Sequence, residues 1–572
     1  MVYDMSIRFA LPQILRTAID LAAADWHSNL KIERFWQKDP SLWTRDGEEK
    51  WMGWLDIVER QQKDIGTFAA LAGEIKSADF HTVLLVGMGG SSLCPEVLAK
   101  TFGRMPEFPE LRIIDSTDPV QVWEVRNESN LPDTLIVVAS KSGSTLEPNI
   151  LKQYFFEQMK FAVGDEAGAH FIAITDPGSK MEQVAKDDNF RYIFYGDPAI
   201  GGRYSALSNF GVVPATLAGL NVGKLLDQAS KAVAEAKLAV DSNPAVQLGL
   251  LLGTAHNAGR DKITIFTSPE IHDLGAWLEQ LIAESTGKLG KGITPVDREA
   301  IADPPEYGND RIFAYIKYTG TADFSQDAAV AELQAAGHPV IAIEISDLYE
   351  LFGQIFTWEI ATAVAGSVMG INPFNQPDVE SAKIETRALT SEYEKSGTLP
   401  TREPVLVDSG VKLYATPAYA ATLQAAAPSQ TLAGYLRAHL NQIQRGDYFA
   451  ALAFLPMFDS HERVIQGFRH KVRDKKRVAT CLGFGPRFLH STGQDYKGGP
   501  NAGVFLQITA DHARDVDIPG ARYSFGIVID AQAAGDLAVL ESRGRRALRV
   551  HLGADLLLGL PALAAAFDEA LS

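Results

Sequence analysis

Two short loops rich in glycine and hydroxyl residues offer the first recognisable chemistry in this sequence. They span Gly87–Ser92 and Ser140–Thr145, and each follows an apolar run and precedes a helical pattern. Glycine lets a backbone turn tightly, and the N–H groups at a helix start attract an anion. The second loop adds four hydroxyls and one lysine, which are the donors that a phosphate monoester needs. The pair of loops therefore predicts a phosphate site.

Other readings of these loops stay open from the residues alone. Serine and threonine also cap helices and form turns without binding any ligand. The first loop resembles a dinucleotide fingerprint, with Ser92 in place of the third glycine and Asp115 ending a later strand. Binding of NAD by a dehydrogenase is therefore one alternative function. A nucleotide-triphosphate loop is excluded at Gly287-Lys288, because leucine follows the lysine.

An arginine and a glutamate add the second kind of chemistry. Arg203 follows two glycines, so its guanidinium can approach a developing negative charge closely. Glu284 ends a helical pattern just before Ser285-Thr286-Gly287, where a carboxylate would stand at the mouth of a cleft. A single glutamate there is a candidate general base. A solvated position at a helix end is the alternative for this residue.

Alternating strands and helices must position these residues. The segment 1–60 reads as helical and rich in tryptophan, and it predicts a packing layer or lid. Apolar runs such as HTVLLVG, LRIID, TLIVVAS and HFIAITD then alternate with helical stretches, and a second alternation begins at KITIFTS. This pattern predicts α/β architecture with doubly wound parallel sheets. We expect a first domain over 61–225 and a second over 226–390.

The character of the sequence changes over 391–572. An alanine-rich helical stretch comes first, and KRVATCLGFG, NAGVFLQIT and RYSFGIVID then read as three strands. We expect a C-terminal α+β region here.

Composition limits the class of protein. The chain has 572 residues, a net charge of -18 and 46% hydrophobic residues, which is typical of a globular protein and not of a nucleic-acid or membrane-surface binder. Two cysteines, Cys94 and Cys481, are too few for a disulfide framework and suggest a cytoplasmic protein. We also expect no membrane partner, because no apolar run is long enough to span a bilayer.

Five motifs in one order carry a family resemblance. They are Gly87–Ser92, Ser140–Glu147, Gly201–Gly211, Glu284–Lys288 and Ile371–Lys383. This order resembles the phosphoglucose isomerase family over about residues 80–385. The resemblance implies two sugar-isomerase domains and the isomerisation of glucose 6-phosphate and fructose 6-phosphate, a step of glycolysis and gluconeogenesis. It also implies a sugar-phosphate substrate and a site that needs no metal or organic cofactor.

The resemblance assigns roles to residues that match the family motifs. Glu284 matches the base that moves a proton between C2 and C1, and Arg203 matches the arginine near the enediolate oxygens. Lys383 matches a lysine that assists ring opening, Gln376 matches the glutamine of the same motif, and Glu147 matches an acidic residue near the sugar. The residues that match the phosphate contacts are Gly90, Ser91, Ser140, Lys141, Ser142 and Thr145.

The sequence departs from the family at the histidine that opens the sugar ring. The family carries it in a GTNGQH-like segment between the glutamate motif and the late glutamine–lysine motif, and it acts from a neighbouring subunit. That segment is missing here, and His338 precedes a buried-type strand, so we expect it beside the core. The better candidate is His490 in RFLHSTGQDYKGG, beyond Lys383.

Some partners and alternatives follow from the same resemblance. A homodimer is expected, because family sites take a residue from a partner. The C-terminal motifs are most similar to the isomerase half of fused bacterial transaldolase–phosphoglucose isomerases, so a transaldolase fusion or partner is also predicted as an alternative. A non-catalytic sugar-phosphate-binding regulator is the second alternative function, since it would need both loops but no base.

Overall fold

The N-terminal part of the chain packs tryptophans against the core. The structure is a computed structural model that describes residues 7–321 and 323–572, so the first six residues of the predicted N-terminal segment lie outside it. Trp26 and Trp54 are buried, which agrees with the predicted packing layer. The elements here are β1 (Ile7–Ala10), α1 (Gln13–Ser28), α2 (Lys31–Trp36), α3 (Ile57–Lys63) and α4 (Ile65–Ser77).

The first sheet has five parallel strands in the order β3-β2-β4-β5-β6. The strands are β2 (Thr82–Val86), β3 (Glu110–Ile114), β4 (Thr134–Ala139), β5 (Phe171–Thr175) and β6 (Tyr192–Tyr195). The helices between and after them are α5 (Leu93–Phe102), α6 (Pro119–Glu128), α7 (Leu146–Val163) and α8 (Lys180–Asp187). The chain order reverses between β2 and β4, and ligands bind at such a point in open α/β sheets.

The second sheet follows three connecting helices, α9 (Asn209–Leu217), α10 (Val222–Glu235) and α11 (Pro244–Asn257). Its order is β1-β10-β9-β7-β8, and the N-terminal strand β1 pairs antiparallel with β10, a pairing that the sequence reading did not predict. Its elements are β7 (Lys262–Thr267), α12 (Leu274–Thr286), β8 (Thr294–Val296), β9 (Arg311–Tyr318), α13 (Phe324–Ala335), β10 (Val340–Ile345) and α14 (Leu351–Met369).

The C-terminal α+β region begins after α15 (Val379–Ser396) and contains a six-stranded sheet in the order β11-β12-β16-β15-β13-β14. Four of these strands, β13 to β16, are parallel to one another. The strands are β11 (Leu406–Asp408), β12 (Val411–Tyr414), β13 (Tyr448–Phe454), β14 (Ala479–Phe484), β15 (Gly503–Ala510) and β16 (Arg546–Leu552). The helices are α16 (Pro417–Ala426), α17 (Leu432–Leu440), α18 (Asp459–Lys476), α19 (Gly493–Gly498), α20 (Phe525–Ser542) and α21 (Leu556–Leu571).

One predicted strand of this region is wrong. The run RYSFGIVID is the start of helix α20, and the side chain of Ser524 caps it by accepting from the N–H of Ile527. The helix is buried along most of its length, so its apolar run is continuous and imitates a buried strand. The strands predicted at KRVATCLGFG and NAGVFLQIT are present as β14 and β15.

The expected α/β fold with parallel sheets is confirmed. One hydrophobic core joins the N-terminal helices to the first and second sheets. The C-terminal sheet has its own core on one face, and Val296 of the second sheet packs into the cluster on its other face. Within the described residues, no helix combines the length and apolar character that crossing a membrane requires.

Candidate active site

The two predicted phosphate loops lie side by side on one wall of a cleft of about 320 Å³. One loop leaves the carboxyl end of β2 and the other leaves the carboxyl end of β4, the neighbouring strand where the chain order reverses. All six predicted phosphate contacts line this cleft: Gly90, Ser91, Ser140, Lys141, Ser142 and Thr145.

The geometry of the second loop suits an anion. The hydroxyl of Ser140 is buried and has no hydrogen-bond partner among the described residues. Ser142 and Ser144 share a hydrogen bond of 2.8 Å between their hydroxyls. Gly143 has a φ of +65°, and a Cβ there would lie 2.4 Å from the backbone nitrogen of Met181, so only glycine fits. The loop therefore offers unused donor capacity in a backbone held by its neighbours.

Lys141 already has an acidic partner in the cleft. Its Nζ donates to Asp176 Oδ1 at 2.8 Å and to the carbonyl oxygen of Asp197 at 2.9 Å. Burial raises the pKa of Asp176 above its ordinary value, although Lys141 acts in the opposite direction. The sequence reading missed Asp176, which also lines the cleft. Lys141 therefore lines this wall of the cleft as one partner of an ion pair with Asp176.

Glu284 faces the same cleft from the last turn of α12. Glu284 is 7% exposed, so the alternative that it is a solvated surface residue is wrong. Glu284 Oε1 lies 3.3 Å from an Nη of Arg203, and Glu284 Oε2 accepts from Gln280 Nε2 at 3.1 Å. A carboxylate with a fixed orientation and an adjacent cation is suited to take a proton from a bound molecule.

Arg203 supports this carboxylate and is not among the described residues that line the cleft. Arg203 is 1% exposed, and one Nη of its guanidinium forms the ion pair with Glu284. Its other donors engage the Ser285 hydroxyl, Gln376 Oε1 and the backbone oxygens of Pro373 and Asn375, at 2.7, 3.1, 2.6 and 3.0 Å. Five partners use the five N–H groups of the guanidinium. Arg203 therefore holds Glu284 and Gln376 together.

Gly90 of the first loop allows that loop to touch the turn before Arg203. A Cβ on Gly90 would lie 2.0 Å from the carbonyl oxygen of Gly202. This contact brings the first phosphate loop against the turn that carries Arg203. Both glycines line the cleft.

His490 lines the cleft next to the first loop, where a Cβ on Gly89 would lie 3.1 Å from the Cβ of His490. Its Nε2 lies 2.9 Å from Glu147 Oε1, and both residues are buried. Burial would raise the pKa of Glu147, but His490 and Lys383 lower it below its ordinary value. A charged carboxylate beside Nε2 favours a proton on that nitrogen. Nδ1 is then the ring nitrogen that can exchange a proton with a bound molecule.

Gln376 and Lys383 also line the cleft. Gln376 is placed by its bond to Arg203, and Lys383 lies in the first turns of α15. All twelve predicted site residues therefore belong to one neighbourhood: ten line the cleft, and Arg203 and Glu147 contact residues that do. His338 lies elsewhere, half-buried with its ring against those of Tyr307 and Phe313, which agrees with the expected position beside the core.

Three polar residues of this neighbourhood escaped the sequence reading. Gln280 bridges Glu284 and the carbonyl oxygen of His490, Gln532 donates to Glu147 at 2.7 Å, and Arg487 reaches Asp115. Gln280 could have been found, because it precedes Glu284 by one helical turn. The other two come from the C-terminal region, and no local pattern marks them.

The contact of Arg487 weakens the dehydrogenase alternative. Asp115 is 3% exposed, and it accepts from Arg487 at 2.9 Å and from the Ser92 hydroxyl at 3.2 Å. The acidic residue that would bind a ribose in a dinucleotide site is therefore occupied within the protein.

Comparisons with known proteins agree with this arrangement. The family model described as phosphoglucose isomerase matches residues 54–300. A probable glucose-6-phosphate isomerase of Methanococcus maripaludis is 27% identical over 348 residues, which cover 54% of this chain and 78% of that protein. The glucose-6-phosphate isomerase of Staphylococcus epidermidis is 28% identical over 384 residues, which cover 59% and 86%.

Solved structures share the fold. A glucose-6-phosphate isomerase from Chlamydia trachomatis aligns with a TM-score of 0.51 and 22% identity, over 59% of this chain and 74% of that one. A hypothetical protein from Thermus thermophilus aligns with a TM-score of 0.57 and 22% identity, over 67% and 99%. Residues 54–300 are therefore similar to the phosphoglucose isomerase family, and the two named relatives extend this similarity over 54% and 59% of the chain.

Proposed function

We propose that this chain is a glucose-6-phosphate isomerase, which interconverts glucose 6-phosphate and fructose 6-phosphate through ring opening and a cis-enediolate. The observation that carries the proposal is the placement of Glu284 and the Ser140–Thr145 loop in one cleft. A phosphate held by one wall would present the carbon chain of the sugar to a carboxylate on another. The family match over residues 54–300 supports the same reaction.

Binding begins at the phosphate. The hydroxyls of Ser140, Ser142 and Thr145, with backbone N–H groups of both loops, would donate to the phosphate oxygens. Lys141 would add a positive charge while it stays paired with Asp176. Anchoring the phosphate fixes where the reacting carbons lie, which is the main contribution of a remote binding group.

Ring opening follows at the far end of the sugar. The C1–O5 bond breaks as the O1 hydroxyl loses a proton and O5 gains one, so one group must accept and another must donate. His490 and Lys383 both line the cleft and are the groups that we assign to this exchange. Glu147 would hold the His490 ring through Nε2.

Proton transfer uses Glu284. Its carboxylate removes the proton from C2 of the open aldose, and the electron pair passes to O1 and gives a cis-enediolate. The protonated Glu284 then returns the proton to C1, and the ketose is formed as the O2 proton moves to O1. Arg203 stabilises the ionised carboxylate from behind, and its charge also lowers the energy of the anionic intermediate.

A coupled assay of glucose 6-phosphate formation from fructose 6-phosphate tests the proposal. Glu284→Gln should lower kcat by on the order of 10³ with little change in sugar-phosphate binding, because only the base is lost. Glu279→Gln is the matched control, since Glu279 lies on the same helix and burial raises its pKa to about 8. The raised pKa favours the neutral carboxyl, which glutamine resembles in size and shape.

Two results would contradict the proposal. Near-normal turnover in Glu284→Gln would remove that residue as the base. Sugar-phosphate binding by the unmodified chain without any turnover would favour the non-catalytic regulator. The homodimer, the transaldolase fusion or partner and the cytoplasmic location stay predictions.

A further inference from the structure

The segment after β14 carries His490 into the cleft and is tied to the first sheet. Arg487 forms ion pairs with Glu96 at 2.7 Å and with Asp115 at 2.8 Å, and both acids are buried. Gln280 donates to the carbonyl oxygen of His490 at 2.8 Å. A buried ion pair broken on one side is strongly unfavourable, so these contacts fix the segment.

The same segment is also tied to the helices that carry Glu284 and Lys383. Gln494 donates to the carbonyl oxygen of Gly287 at 2.7 Å, one residue beyond α12. It accepts from the backbone N–H groups of Asp378 and Val379, at the start of α15. Gly287 is packed so closely that a Cβ there would lie 2.2 Å from Cα of Asp495. The C-terminal region is thus tied to both helices that carry candidate catalytic residues, α12 and α15.

A residue in the middle of helix α20, Gln532, adds another contact. Gln532 donates to Glu147 Oε1 at 2.7 Å and accepts from the Thr117 hydroxyl at 2.6 Å. Glu147 is the partner of His490, so two elements of the C-terminal region meet on one carboxylate of the first sheet. All of these side chains are buried.

The segment that links the cleft to the C-terminal region, helix α15 and the residues after it, packs against helix α20. Helix α15 begins at the cleft and runs beside α20, where a Cβ on Gly535 would lie 3.2 Å from the Cβ of Glu385. Beyond α15, Arg402 pairs with Glu541 of α20 at 2.6 Å. The stretch of chain that links Lys383 to the C-terminal sheet therefore packs against helix α20 both within α15 and beyond it.

We propose that the C-terminal region supplies a catalytic group within a single chain, so that His490 acts on the substrate held by the loops of the same molecule. This inference rests on the proposed function. It concerns which molecule supplies His490, and it holds whether the protein is a monomer or an oligomer.

Complementation between two inactive variants tests the inference. Glu284→Gln and His490→Ala would be co-expressed as full chains with different affinity tags, and assemblies carrying both tags would be purified. If His490 acts within its own chain, every site in a mixed assembly lacks one group, and activity should equal that of the separate variants. If a partner supplies His490, a mixed dimer regains one complete site, or about half of the normal activity.

The controls separate this inference from the proposed function. Unmodified chains with both tags must isomerise the sugar phosphate, and their failure would overturn the proposed function itself. Recovery of activity in mixed assemblies, or full activity of the histidine variant alone, would overturn the inference. The absence of mixed assemblies would support it when each unmodified chain is active alone. His490→Asn, which keeps a donor for Glu147, replaces the alanine variant if that variant does not fold.

Discussion

Arg203→Lys should separate the charge of this residue from its shape. The guanidinium of Arg203 has five partners. Four are neutral oxygens that accept a hydrogen bond, and the fifth is the Glu284 carboxylate, with which it forms an ion pair. Lysine keeps the charge but has three donors, so at least two buried acceptors would lose their partner. Each buried unsatisfied acceptor costs about 1–3 kcal/mol, which gives a loss of about 2–6 kcal/mol in the free energy of unfolding.

The same substitution should lower turnover more than substrate binding. Arg203 orients Glu284 and Gln376, and a displacement of about 1 Å at a reacting group lowers the rate by about 10²-fold. The Arg203 guanidinium forms no hydrogen bond with the described residues of either loop, so KM should change little. The assay is steady-state isomerase kinetics below the unfolding temperature, with thermal unfolding measured in parallel.

Arg311→Lys is the control for stability alone. Arg311 forms a buried ion pair with Glu299 at 3.0 Å and does not line the cleft. It should lose comparable stability and keep kcat within about threefold of normal. A normal kcat in Arg203→Lys, or an equal fall of kcat in Arg311→Lys, would show that Arg203 does not orient Glu284 for catalysis.

Three further substitutions have distinct signatures. Ser140→Ala removes a buried hydroxyl without a partner, so thermal stability should rise by about 1 kcal/mol while KM for the sugar phosphate rises; an unchanged KM would contradict a role in binding. Gln532→Leu should raise the pKa of Glu147 and move the acid limb of the kcat–pH profile upward, whereas the equally buried Gln507→Leu should leave that profile unchanged. Burial and then the nearby Asp297 raise the pKa of Glu279 to about 8, so the folded protein keeps a proton that the unfolded chain releases above its ordinary pKa of 4.5. As the pH rises from 4.5 to 8, the free energy of unfolding of the unmodified protein should therefore fall more steeply than that of Glu279→Gln, by up to about 1.4 kcal/mol per pH unit. Parallel plots of unfolding free energy against pH for the two proteins would argue against this shift.

The position of the two candidate phosphate loops could be predicted from sequence because their signals are local. Glycine and hydroxyl residues directly after an apolar strand indicate both the loop and the edge of the sheet where it lies. Glu284 could be proposed as a base from its motif, but its burial could not, because the residues that cover it are distant in sequence. Arg203 is the clearest example, since its partners extend to Asn375.

Other features depended on long-range packing that no local pattern records. The RYSFGIVID run is apolar on all sides because α20 is enclosed by the rest of the region, and it therefore imitated a strand. Strand β1 is short and joins the second sheet only by pairing with β10, far along the chain. The ion pairs of Arg487 join residues several hundred positions apart, which spacing alone does not reveal.

The proton transfer assigned to Glu284 can be followed directly with glucose 6-phosphate deuterated at C2. Part of the deuterium should reach C1 of fructose 6-phosphate and the rest should be lost to solvent, because a carboxylate that holds the deuteron exchanges it with water. Both processes should slow by on the order of 10³ in Glu284→Gln and continue at the normal rate in Glu279→Gln. Complete transfer to C1 without loss to solvent, at a rate unaffected by Glu284→Gln, would indicate a hydride shift and contradict the account.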